Sequence, residues 1–201
     1  MNLAMIMYIY SSIASSRDKA WSYTTFADSQ FSYALGNNPM SCPYVVGSNP
    51  NSPQNPHSAM ASGGNDISNI DTSPPQEAYV LYGAIVGGPD QQDRFFDIRT
   101  DWPETEPALD LNAPVLTLAA LHVMNDTQDP FFTQLKAGAF DAVKPQGTPC
   151  DEAFPCKTGH SLSKGAKIAI GVVISVVGLA IIGFCGYWYW THRTYQPVRK
   201  A

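Results

Sequence analysis

The chain has 201 residues, a formal net charge of −5, 44 % hydrophobic and 11 % aromatic residues, and four cysteines. This is enough for one domain with an appendage, too apolar for a disordered chain, and too weakly charged in the basic sense to favour nucleic acid as a partner. The 16 prolines and 15 glycines cluster along the chain and mark its divisions.

Residues 1–36 come first. MNLAMIMYIYSSIAS is apolar on nearly every side and predicts a buried helix. A signal peptide is the alternative, but the stretch lacks a charged leader, and Tyr8, Tyr10 and a serine pair interrupt it. SYTTFADSQFSYALG carries Phe26, Phe31 and Leu35 with Ala27 and Ala34 near helical spacing. Gly36 and NNP then end the helix.

Residues 37–110 are rich in Pro, Gly, Asn, Ser and Asp and show little helical periodicity. GSNPNSPQNPHSAMASGGNDISNIDTSPPQ reads as one long loop, and ordered loops of this length usually carry function. A linker is the other reading. Against it, the loop runs into YVLYGAIVGGPD, an apolar stretch that needs packing partners. In residues 111–140, LNAPVLTLAALHVMND predicts a helix through Leu111, Val115, Leu118, Ala119 and Val123, with Pro114 in its first turn, where its missing N–H costs nothing.

Residues 141–167 form a polar stalk. IAIGVVISVVGLAIIGFCGYWYW, residues 168–190, contains no charged side chain. At ~1.5 Å per residue it reaches ~34 Å, which predicts a transmembrane helix held by membrane lipid, with Tyr187–Trp190 as its aromatic belt. Residues 191–201 are a short cytoplasmic tail, too short for a signalling domain.

Lys157, Lys164 and Lys167 on one side balance Arg193, Arg199 and Lys200 on the other, so the basic residues do not orient the span. Asn125 heads an Asn-Asp-Thr glycosylation sequon, and Cys150 and Cys156 are spaced to staple the stalk by a disulfide. Both favour a single-pass protein with its N-terminal part outside the cell. Cys42 reads as a small buried residue.

FFDIRTDWPETEPALDLNA, residues 95–113, holds Asp97, Asp101, Glu104, Glu106 and Asp110. By residue type it is a solvated acidic loop. The order aromatic, gap, Asp97, four residues, Trp102, three residues, Glu106, gap, Ala108, three residues, Asn112-Ala113 is more specific. It resembles the C-terminal active-site signature of glycoside hydrolase family 9, the inverting endo-β-1,4-glucanases. Three further stretches resemble that family in the same order: YALGNNP at 33–39, YVVG at 44–47 and GAIVGGPD at 83–90.

The resemblance implies an all-α fold: the C-terminal portion of an (α/α)6 barrel with long active-site loops, over residues 1–140, plus the transmembrane helix. It implies hydrolysis of a β-1,4-glucan without a cofactor. By motif position Glu106 matches the general acid, Asp97 the second signature carboxylate, and His57 of NPHSA the first histidine of a substrate-contact motif, P-H-H-R. Glu104 has no motif match and reads as solvated. Asp97 and Arg99 are placed to pair and fix the loop. Tyr44, Trp102 and Arg99 are candidates for substrate contact, and Tyr44, Phe95 and Trp102 read equally as sugar-stacking or as core aromatics.

Two departures stand against the pattern. Ala59 occupies the place of the motif's arginine, and the D-A-G-D stretch that supplies the water-activating Asp occurs nowhere upstream of residue 30. The resemblance therefore covers the last third or so of a catalytic domain, which reads as a fragment or truncated gene model. A catalytically inactive glucan-binding surface protein is the alternative. The four histidines lie too far apart for a metal motif, and no phosphate loop or G-x-S-x-G elbow is present.

Overall fold

The computed structural model describes residues 1–47, 49–156 and 163–193. Lys157, His160, Arg199 and Lys200, and most of the predicted tail, lie outside the described residues. The chain divides into two compact units, residues 1–156 and 157–201. The disulfide hairpin of the predicted stalk therefore belongs to the first unit.

Helices α1 (Asn2–Ser11) and α2 (Arg17–Ala34) form a hairpin, and α1 also packs on α5 (Leu109–Asn125). Ser16 caps α2 by accepting a hydrogen bond from the Lys19 N–H at 3.3 Å. Short helices α3 (Ala59–Ser62), α4 (Trp102–Thr105) and α6 (Ala139–Val143) punctuate the loops, with a single 3-10 turn at Ile67–Asn69. No strand occurs among the described residues; Val45 and Ile85 form one isolated antiparallel bridge. The all-α class expected from the sequence holds.

One core joins the helices through Ala4, Ala27, Phe31, Val115 and Leu118, with Ile85 contributed by the loop. A second lies under the loops and contains Cys42, Tyr44, Val46, Val86, Phe95 and Phe140. Apolar burial of this kind stabilises by ~1.5–3 kcal/mol per large side chain.

The first helix differs from its reading as buried all round. Only Ala4 is buried, while Leu3, Ile6 and Ile9 are exposed. Two helices cannot enclose a third, so its outer face is left open. An open apolar groove of about 740 Å³ runs beside Phe31, Leu35, Val45, Ile85 and Val115. Helix α5 starts at Leu109, two residues before the predicted start. Pro114 therefore lies beyond the first turn, and it is buried. Tyr79, Val80 and Tyr82 stay exposed, and the packing expected of that apolar run is supplied by Ile85 and Val86.

In the second unit, α7 (Lys164–Arg193) extends past both ends of the predicted 168–190 stretch. Two stretches are long and apolar enough to cross a membrane: Lys167–Arg193, mean hydropathy 2.8, and Trp102–Asn125, mean hydropathy 1.2. The second includes α5, whose inner face belongs to the helical core.

Candidate active site

Local chemistry brings the four sequence motifs together. At the end of α2, Gly36 adopts φ 111°, and a Cβ there would lie 2.4 Å from Leu135 Cδ1. Asn38 locks this exit. Its Nδ2 donates to the carbonyls of Tyr33 (2.8 Å) and Cys42 (2.7 Å), while its Oδ1 accepts from the Cys42 N–H.

The chain then enters the second motif. Val46 N–H donates to Ala84 O (2.8 Å), Gly83 N–H to Val46 O (2.8 Å) and Val86 N–H to Tyr44 O (3.1 Å), which zips the second and third motifs together. Gly87 lets the third motif approach the acidic segment: a Cβ there would meet Pro103 O at 2.0 Å. Gly88 N–H donates to Glu104 O at 2.9 Å. Asn112 of the signature closes the corner by accepting from the Ile85 N–H.

Asp97 anchors the acidic segment from an uncommon backbone conformation, φ 53°. It is 8 % exposed and accepts hydrogen bonds from Gln54 N–H (3.0 Å), Asn55 N–H (3.0 Å) and Asn55 Nδ2 (3.3 Å). Burial pushes its carboxyl above the usual carboxylate value, and the three donors act against that shift. Asp97 thereby fixes the loop that leads to His57. Replacing it with Asn leaves one acceptor oxygen for three donors. Asp97→Asn is expected to cost about 1.5–3 kcal/mol, read as a lower denaturation midpoint; an unchanged midpoint would remove the anchoring role.

The expected Asp97–Arg99 pair does not form. Arg99, 1 % exposed, pairs instead with Glu77, Nε to Oε1 at 3.1 Å. Its Nη1 donates to the carbonyls of Ile70 (2.9 Å) and Pro74 (2.6 Å). The guanidinium is the pin of the long loop and is out of reach of any bound molecule, contrary to its reading as a substrate contact. The same correction applies to Tyr44, which is 4 % exposed with its ring against Phe95 at 5.2 Å, centroid to centroid. Phe95 is fully buried, whereas Trp102 is 45 % exposed.

His57 is fastened at two points. Its backbone N–H donates to Thr105 O (2.9 Å), and its Nδ1–H donates to the Arg99 carbonyl, which leaves Nε2 as the ring's acceptor. It is therefore tied to both ends of the stretch that leads to Glu106.

Glu106 ends α4 and is exposed; its backbone N–H returns to Trp102 O. Two residues earlier the environment is opposite. Glu104, read from the sequence as solvated, is 2 % exposed and accepts from Phe96 N–H at 2.6 Å. The single turn of α4 rotates it inward, under Gly87 and Gly88. Burial pushes its carboxyl up to about 8, with the Phe96 N–H opposing and Asp101, Asp90 and Asp151 adding repulsion. Asp101 is fully buried and is raised to about 7, by burial first and then by Asp151.

Asn125 is exposed at the end of α5, where its Nδ2 donates to Tyr8 Oη. Cys150 and Cys156 are joined in a disulfide, and Cys42 is fully buried.

Comparison with known proteins gives a consistent match. The model of glycosyl hydrolase family 9 aligns with residues 1–119. The chain is 42 % identical over 112 residues to endoglucanase A of Bacillus pumilus, covering 56 % of this chain and 17 % of that protein. It is 43 % identical over 110 residues to an endoglucanase of Dictyostelium discoideum, covering 53 % and 15 %. The chain thus spans about a sixth of the length of these relatives. Among solved structures it resembles endoglucanase CelQ from Clostridium thermocellum complexed with cellobiose and cellotriose, with a TM-score of 0.56 and 31 % identity, over 75 % of this chain and 23 % of that one.

Proposed function

The chain belongs to glycosyl hydrolase family 9, and from that premise we propose that residues 1–140 form the acid-bearing corner of an endo-β-1,4-glucanase. The reaction is hydrolysis of internal bonds in cellulose or a related glucan with inversion. One carboxylic acid protonates the leaving oxygen while a carboxylate across the bond, ~6.5–9.5 Å away, activates water. Glu106 is the acid. The observation that supports this reading is the sorting of the five carboxylates. Asp97, Asp101 and Glu104 are buried, and Asp110 is exposed in the first turn of α5. Glu106 is exposed where α4 ends, in the segment held to His57. Trp102, half-exposed on the same turn, offers a ring face to a sugar.

The partner class follows from CelQ, whose structure holds cellobiose and cellotriose. A second reading, a catalytically inactive glucan-binding surface protein, is favoured by Ala59. It opens α3, where the substrate-contact motif would place an arginine.

The test is a chimera in which residues 1–119 replace the aligned segment of the Bacillus pumilus enzyme. It is expected to release reducing sugar from carboxymethylcellulose, whereas the 201-residue chain alone releases none, because general-base loss typically costs ~10²–10⁴-fold. A folded but inactive chimera would favour the binding reading. Sugar release by the chain alone would overturn the assignment of the water-activating group to sequence outside it.

Residues 168–190 are proposed to span a membrane with residues 1–160 outside the cell. The uncharged run, the exposed sequon at Asn125 and the Cys150–Cys156 disulfide support this topology. Protease added to intact cells should remove an N-terminal epitope and spare a C-terminal one; the reverse pattern would invert the topology.

A further inference from the structure

Behind the signature segment, Asp101, Glu104 and Asp151 each offer a carboxylate oxygen, and these oxygens lie within 4.8 Å of one another. Asp101 is 0 % and Glu104 2 % exposed. Four oxygens in this trio are buried without a hydrogen-bond partner: both of Asp101, Oε1 of Glu104 and Oδ2 of Asp151.

The other oxygens are already used, which fixes the direction of the free ones. Glu104 Oε2 accepts from Phe96 N–H, and Asp151 Oδ1 accepts from the N–H groups of Ala153 and Phe154, each at 2.8 Å. No side-chain cation among the described residues pairs with the trio; Arg94 is paired with Asp90 and Arg99 with Glu77. Three buried carboxylates this close repel strongly, and an unmatched buried charge costs several kcal/mol.

We propose that Asp101, Glu104 and Asp151 bind a calcium ion that ties the disulfide hairpin at 150–156 to the loop carrying Glu106. The ligand set is all oxygen, which selects a hard cation. The only sulfurs nearby, Cys150 and Cys156, are spent on their disulfide. Calcium is favoured over magnesium because the donors come from two separate segments with no octahedral cage, and calcium tolerates irregular coordination completed by water and carbonyl oxygens. The adjoining cavity of about 520 Å³, walled by Pro89, Pro103 and Glu152, leaves room for those waters. His and Cys spacing could not reveal such a site, because its carboxylates are brought together from positions 101, 104 and 151. The ion would position Glu106 through a shared turn without touching substrate. The proposal does not depend on the glucanase reading.

The test uses the full chain in detergent micelles after treatment with EDTA. Terbium, a calcium surrogate, should luminesce on excitation of tryptophan through the adjacent Trp102, and calcium should displace it. One calcium per chain is expected, with a Kd on the order of 10⁻⁴ M. Asp101→Asn and Asp151→Asn should each weaken binding at least about tenfold, while Asp129→Asn leaves it unchanged. If Asp101→Asn fails to fold by circular dichroism, Asp151→Asn on the outer hairpin decides. Absence of saturable calcium binding, or binding that the deciding variant leaves intact, would overturn the site. So would a protonated-carboxyl infrared band that calcium does not remove and that variant abolishes, because the trio would then hold protons instead of a metal.

Discussion

Glu106→Gln, placed in the active chimera, is expected to lose activity in proportion to how much its substrate needs protonation. The substitution keeps shape and hydrogen bonding but removes the ionisable proton. Cellulose has a poor leaving group, and its hydrolysis should fall by about 10²–10⁴-fold. An aryl glycoside or glycosyl fluoride leaves with little help, so its rate should fall far less.

The burial of Glu104 supplies the internal comparison. Glu104→Gln cannot change proton donation to a substrate it does not touch. It weakens the bond from Phe96 N–H and disturbs the turn under Gly87 and Gly88. Both substrate types should therefore suffer alike, through the fraction of properly folded protein. Equal losses on both substrates for Glu106→Gln would remove the acid assignment; a leaving-group-dependent loss for Glu104→Gln alone would transfer it there.

Arg99→Met should be among the most destabilising single changes in residues 1–156. The substitution strands Glu77, whose side chain is 6 % exposed, and removes the donors from Ile70 O and Pro74 O. Breaking a buried pair from one side costs about 3–5 kcal/mol, a large fraction of the ~5–15 kcal/mol typical of a domain. Adding Glu77→Gln removes the uncompensated charge and should restore much of the loss. Thermal unfolding followed by circular dichroism gives the comparison. If the double variant is no more stable than the single one, the cost lies in the lost packing and carbonyl contacts, and the ion-pair account fails.

The order and spacing of the four motifs were legible because they encode backbone needs: Gly36 at positive φ, Gly87 against Pro103, Asn38 and Asn112 as bridges between carbonyls and N–H groups. The exposed position of Glu106 is also where the signature puts it. What composition could not show is which acid faces inward. Glu104 and Glu106 differ by two positions, and only the brevity of α4 turns one under the loop and leaves the other in solvent. Tyr44 and Arg99 were misassigned for a related reason. An aromatic or an arginine reads the same whether it meets a ligand or fills the interior, and the partners that bury them, Phe95 and Glu77, lie far along the chain. The outer face of α1 was misjudged because an apolar sequence records a wish for burial without naming what supplies it.

The bonds that hold the site have a further consequence for how such chains can be recombined. The hydrogen bonds fixing Asp97, His57 and Glu104 among the described residues close within residues 54–105, and none of them reaches α1 or α2. A genetic crossover between the end of α2 and residue 53 passes this segment on with every such bond intact. A crossover between residues 57 and 96 separates Asp97 from Gln54 and Asn55, and His57 from Arg99 and Thr105, in a single event. The corner is inherited as one cassette, and its loops can diversify only where no bond is cut.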